Sequence, residues 1–158
     1  MNATRWRAIL RAALVAAVLV LAVSCGSEPF TLAAAGPFPY PAPATVNPSL
    51  ERVAIIVTIT SRAGDDLQIN PADFAARDTD RRLYTANAAA TAADVGPVNR
   101  APELRGSLPL PVVTLRHDDV LTGFVVFDVP AGVRPVELIW RQTDGDYTVK
   151  LATVPTAR

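Results

Sequence analysis

Gly123-Phe124-Val125-Val126-Phe127-Asp128-Val129-Pro130 joins a run of strand-favouring residues to an abrupt stop. Side chains of an extended chain alternate between faces, so Val125, Phe127 and Val129 share one side while Asp128 points the other way. Pro130 has no amide hydrogen to give a ladder and ends the element. The stretch therefore predicts the central strand of a β-sandwich, with Phe127 at its core. Phe124 and Val126 alternate away from that face, as Ile139 does from Leu138 and Trp140. If the Pro-rich segment before Pro111 leaves them uncovered, Phe124, Val126 and Ile139 form an apolar patch, the usual mark of an interaction surface.

Outward from this stretch the chain reads as further short strands. Val53 to Thr60 is dominated by β-branched residues, with Val53, Ile55, Val57 and Ile59 on one face. Leu67 to Ile69 is a short extended piece between the turns Gly64-Asp65-Asp66 and Asn70-Pro71-Ala72-Asp73. Phe74 to Arg77 and Arg82 to Tyr84 flank the polar turn Asp78 to Arg81 as a hairpin. Thr85 to Val95 is rich in alanine and reads as a loop with a short helix at most. Leu108, Leu110 and Val112 suit an edge strand within a Pro-rich crossover. Val136 to Trp140 and Tyr147 to Leu151 are joined through Asp144-Gly145, a favoured turn dipeptide. Many short strands with turn signals between them argue for an all-β, antiparallel sandwich.

The N-terminus has a different grammar. Arg5, Arg7 and Arg11 precede an apolar run of 12 residues, Ala12 to Val23, the layout of a signal peptide over residues 1–24. A spanning helix needs roughly 20 apolar residues, so export with cleavage is favoured over a permanent anchor. Leu21-Ala22-Val23-Ser24-Cys25-Gly26 resembles the lipobox of bacterial lipoproteins, which implies that Cys25 is acylated and becomes the new N-terminus. Cleavage removes three arginines and no acids, leaving 12 basic against 15 acidic residues, a formal charge of −3. That balance offers nothing to a nucleic-acid partner. Because Cys25 is the single cysteine, no disulfide is available to the fold. Pro29, Pro37, Pro39, Pro41, Pro43 and Pro48 then predict an extended spacer over residues 25–48, ahead of a sandwich over 49–158.

The order of Val57-Thr58-Ile59, the Asn70 to Phe74 step, the polar hairpin leading to Tyr84, and Gly123 to Pro130 followed by Pro135-Val136-Glu137-Leu138 is similar to a known pattern. It resembles the telokin-like, immunoglobulin-fold domain of bacterial lipoproteins and, more distantly, a secreted mycobacterial immunogenic protein of immunoglobulin-like fold. The resemblance covers Arg52 to Val154. It implies an immunoglobulin-like sandwich and an extracytoplasmic interaction or structural module without catalytic residues. Such folds host many unrelated functions, so the partner does not follow from it.

Residues with chemistry in them read as surface. His117, the single histidine, adjoins Asp118 and Asp119, but consecutive residues in an extended segment cannot converge on one ion, so a solvated turn is expected and no metal site. Ser27, Ser49, Ser61 and Ser107 lack the Gly-x-Ser-x-Gly elbow of a hydrolase. Asp65-Asp66 and Asp78-x-Asp80 lack the spacing of a calcium loop. Trp140 shares a face with Leu138 and Val136 and is expected to fill the core. The sequence thus points to a non-enzymatic domain that uses no cofactor, lipid-anchored on the outer side of the cell membrane or else secreted. Its partners would be the membrane and an envelope protein; the alternative is a carrier holding a lipid or other apolar ligand between its sheets.

Overall fold

The computed structural model describes residues 29–42 and 47–152. The signal peptide over 1–24 and Cys25 lie outside them. Strand β2, Leu50–Ser61, buries Val53, Ile55, Val57 and Ile59 on its inner side, as the alternation of the sequence requires. It pairs antiparallel with β7, Val120–Pro130, from Leu50 opposite Pro130 to Thr60 opposite Val120. A third strand, β1, Phe30–Pro39, lies along the other edge of β2. The order β1-β2-β7 makes β2 the middle of its sheet, so the predicted central strand sits one place to the side.

The second sheet has the order β5-β4-β8-β9, with β4 at Phe74–Arg77, β5 at Leu83–Thr85, β8 at Glu137–Gln142 and β9 at Gly145–Lys150. All its pairings are antiparallel. Two short strands, β3 at Leu67–Ile69 and β6 at Val113–Leu115, form a separate ribbon. Between the large sheets lie Val125, Phe127 and Val129 of β7, the inner side of β2, and Phe74, Ala76, Leu138 and Trp140. Trp140 stacks on Phe74 with centroids 5.6 Å apart and meets Phe30 at 4.7 Å. Its indole N–H is buried without a hydrogen-bond partner, so the side chain is there for its volume. Val136, expected to share its face, is exposed and precedes the strand.

The sheets also meet at both margins. Ala86, just past β5, bridges Phe127 of β7, and Ala152, just past β9, bridges Ala35 of β1. The second junction is held by Ala152 N–H to the Ala34 carbonyl at 3.0 Å and Gly36 N–H to the Ala152 carbonyl at 3.2 Å. The sandwich is thereby a flattened barrel whose strand edges are paired at the corners, where an open edge would otherwise invite association.

The spacer expected over residues 25–48 is corrected over Phe30–Pro39, where β1 is an integral strand paired from Phe30 opposite Ser61 to Pro39 opposite Val53. Proline density misled because a strand tolerates proline at a bulge or on an outer position, where no ladder hydrogen bond is lost. Pro37 sits in such a bulge: the register shifts between Ala35 and Phe38, with Gly36 at φ 134. One extra residue reverses which side each later residue faces. Phe30 and Ala34 accordingly enter the main core, whereas Phe38 and Tyr40 turn to the opposite side of the sheet.

Candidate interaction site

That opposite side is covered. Phe124 and Val126, an apolar patch only if the segment before Pro111 leaves them uncovered, are fully buried, and lie with Ala54 and the buried Phe38 and Tyr40 beneath residues 87–107. The expectation of a free patch at Phe124, Val126 and Ile139 is therefore corrected. Ile139 is also buried, but on the other sheet, where it pairs with Ala75 and Thr148, so the three residues do not share a surface. They alternate correctly in sequence but belong to sheets whose outer faces look in opposite directions.

The covering strap is built of small pieces. Asn87 caps the five-residue helix Ala88–Ala92 by accepting from the Ala90 amide at 2.8 Å. Thr91 stands in for a neighbouring strand, its Oγ1 accepting from the Val126 amide at 3.0 Å and donating to the Asn87 carbonyl at 2.9 Å. Two 3-10 turns follow at Pro97–Asn99 and Pro102–Leu104, the second placing Leu104 in the buried cluster. Leu108 to Leu110 then runs beside β7, with Phe124 N–H donating to the Leu108 carbonyl and Leu110 N–H to that of Phe124, both at 2.9 Å. The expected edge strand is reduced to a single bridge between Pro109 and Phe124, with Leu110 buried and Leu108 and Val112 exposed.

Gly123 permits the approach, since a Cβ there would lie 2.9 Å from the Leu110 Cα. Arg100 locks the strap. It is buried, stacks over Phe124, and gives a two-pronged pair to Asp94 plus hydrogen bonds to the Ser107 and Leu104 carbonyls. The guanidinium beside Asp94 holds that carboxyl below its ordinary value.

Residues 87–107 cover part of the outer face of the first sheet, while the outer face of the second presents exposed Thr85, Arg141, Asp146, Thr148 and Lys150 to solvent; the denser groups of paired charges lie at the ends of the barrel. One end gathers the start of β2, the turn after β7, and the β4-β5 hairpin. There Arg52 pairs with Asp128 at 2.7 Å, Arg77 with Glu137 at 2.6 Å and Arg134 with Glu51 at 2.8 Å. Burial alone would push the Asp128 carboxyl up, but donation from Arg52 and Asn87 outweighs it and the net shift is downward. Asp78 organises the hairpin: the Tyr84 hydroxyl donates to its Oδ2 at 2.7 Å and the Arg82 amide to its Oδ1 at 2.9 Å. The Tyr84 hydrogen bond, helped by the Arg82 amide, lowers the Asp78 carboxyl, and the same Tyr84–Asp78 hydrogen bond raises the Tyr84 hydroxyl. The hydrogen bond and charge of Arg134 likewise lower Glu51.

Two open grooves flank this end. One, of about 440 Å³, is lined by Arg77, Asp78, Thr79, Arg81, Val136 and Glu137. The other, of about 500 Å³, runs over Leu83 to Ala88 with Asp128 on its wall. Both are open to solvent. A carrier calls for an enclosed apolar chamber of roughly 300 Å³ or more, and these grooves lend that alternative no support.

The other end carries the Arg116 to Asp119 turn. His117 is exposed, its Nδ1 lying 3.1 Å from the Ala63 carbonyl and its Nε2 3.5 Å from Asp118. Asp119 accepts from the Arg116 amide at 2.8 Å, and Asp118 adopts φ 65. The Asp119 carboxylate serves the turn while Asp118 approaches the imidazole, so the three side chains are not gathered around one point. Among the described residues no three His, Cys, Asp or Glu side chains gather as a metal site, and no helix is long and apolar enough to cross a membrane. The Asp144-Gly145 turn is also shifted: Gln142 pairs with Gly145, so Thr143 and Asp144 form the tip.

No protein-family model matches the chain, and no curated protein sequence does. Among solved structures, MPT63, a secreted protein from Mycobacterium tuberculosis, is similar over 77% of this chain and 82% of its own, with 14% identity and a TM-score of 0.53. The candidate lipoprotein ycdA from Bacillus subtilis matches over 80% of this chain at 16% identity and a TM-score of 0.48; this chain spans 39% of it. The Bacillus subtilis protein yjhA matches over 78% of this chain and 87% of its own, at 20% identity and a TM-score of 0.45. The likeness to MPT63 extends to the fold: this chain is an all-β antiparallel sandwich similar to that of a secreted mycobacterial protein.

Proposed function

We propose that the chain is exported and held by an acylated Cys25 on the extracytoplasmic side of a bacterial cell membrane. There the sandwich acts as a non-catalytic interaction or structural module of the envelope. The observation that carries this reading is the continuous layout of Arg5, Arg7 and Arg11, the apolar run Ala12 to Val23, and Ser24-Cys25, with a folded strand starting at Phe30. The secreted character of MPT63 is consistent with it. The burial of the apolar face favours polar surfaces as the place of recognition. With Phe124 and Val126 beneath the strap, the reading assigns partner contact to the polar end whose charged side chains are already held in place by Arg52, Arg77 and Arg134.

Detergent-phase partitioning of the protein from a bacterial host tests the anchor. Wild type is expected with the membrane fraction, and Cys25→Ala is expected to lose the lipid. A wild-type chain recovered wholly in the aqueous phase would overturn this proposal.

A further inference from the structure

We infer that the barrel end bearing Phe30, Arg62 and the Arg116 to Asp119 turn is apposed to the membrane surface, so that the opposite end is the one presented to partners. The inference rests on acylation of Cys25 and adds an orientation to it. Its basis is the distance between the anchor and the fold. Phe30 opens β1 and is buried, and Pro29 is tied down by the Arg62 amide, which donates to its carbonyl at 2.7 Å. Between Cys25 and Phe30 stand Gly26, Ser27, Glu28 and Pro29. Even fully extended, that connection spans at most about 18 Å.

The same end is closed by hydrogen bonds from the Ser61 amide to the Asp119 carbonyl at 2.9 Å and from the Asp118 amide to the Ser61 carbonyl at 3.0 Å. It therefore moves as one piece with Phe30. The opposite end is far beyond the tether. β7 covers 11 residues from Val120, beside this end, to Pro130 at the other, a length of about 33 Å. Ala131, the Asp78 to Arg82 hairpin and both grooves lie toward the Pro130 end.

The charges of the Phe30 end give no attraction to an anionic bilayer: Arg62 and Arg116 stand with Asp65, Asp66, Asp118 and Asp119. Proximity is imposed by the short covalent connection and does not depend on salt. The occupant of this end is the lipid headgroup layer.

Acylated full-length protein, purified from bacterial membranes and reconstituted into phosphatidylethanolamine and phosphatidylglycerol vesicles, tests this directly. A fluorophore is placed at Asp65→Cys or at Ala131→Cys, the Cys25 sulfur being blocked by its lipid, and a nitroxide headgroup lipid serves as quencher. Strong loss of fluorescence is expected at residue 65 and little at residue 131. Inserting a Gly/Ser linker of about 20 residues after Gly26 should remove the loss at residue 65, since such a linker has a root-mean-square reach of about 25 Å. Equal quenching at both positions, or stronger quenching at residue 131, overturns the orientation. Acylation absent from the purified chain overturns the anchor itself, and the orientation falls with it.

Discussion

The guanidinium of Arg100 lies over the ring of Phe124, 4.9 Å from its centroid. A buried cation is tolerated there because its donors are spent on Asp94 and on the Ser107 and Leu104 carbonyls, while its flat face meets the aromatic ring. The pair holds together a strap that has few large side chains of its own. Arg100→Ala is expected to destabilise the fold by about 3 kcal/mol, the lower end for breaking a buried pair, because Asp94 remains partly in water. Urea denaturation measures the loss. Arg100→Lys should recover little of it, since an ammonium cannot make the two-pronged pair.

Thr91 offers a smaller and cleaner test. Thr91→Val keeps the shape of the side chain but leaves the buried Val126 amide without the Oγ1 acceptor. An orphaned buried donor costs about 1 to 3 kcal/mol. Amide exchange at Val126 should accelerate relative to Val125 in the same strand, and equal protection of both would show that the strap does not supply this hydrogen bond.

Gly123 is a packing requirement. A methyl group there would meet Leu110 Cα at 2.9 Å and the Leu108 carbonyl oxygen at 3.1 Å, both backbone atoms. Gly123→Ala is expected to push the Leu108 to Leu110 segment off β7, at a cost of about 1 to 3 kcal/mol for an overpacked site. Loss of amide protection at Leu110 together with retained protection in β2 is the predicted pattern; an unchanged denaturation midpoint would count against it.

Four carboxyls, Glu51, Asp78, Asp94 and Asp128, are held below their ordinary values in the folded chain. The unfolded chain takes up their protons first as pH falls, so their stabilisation is complete above the ordinary carboxylate range, near pH 4, and is lost as pH drops through the lowered folded values. Thermal midpoints should therefore be steady at neutral pH and fall on acidification. Asp128→Asn should make the acid limb shallower, because the amide cannot titrate; a limb of unchanged steepness would remove Asp128 from the account.

What the sequence shows and what it conceals follow from local physics. Val53, Ile55, Val57 and Ile59 reveal a half-buried face by simple alternation, and Val125, Phe127 and Val129 do the same. Strand β1 stays hidden because Pro37 and Pro39 mimic a polyproline spacer, and the bulge that accommodates Pro37 also switches the face on which Phe38 lies. The strap stays hidden because Ala90, Ala101 and Arg100 carry no apolar rhythm. A signal was nevertheless present: Phe124 to Phe127 is apolar on both faces, the pattern of a strand buried on both sides. The end where Arg52 meets Asp128 and Arg77 meets Glu137 depends on pairings between distant segments that periodicity does not encode.

The central claim is that Cys25 carries the lipid and becomes the first residue of the mature chain, five positions before the first strand begins at Phe30. Mass spectrometry of the N-terminal peptide from protein isolated from bacterial membranes tests it most directly. The account predicts a peptide beginning at Cys25 with a diacylglyceryl group on its sulfur. A peptide beginning elsewhere, or Cys25 carrying an unmodified thiol, would contradict it.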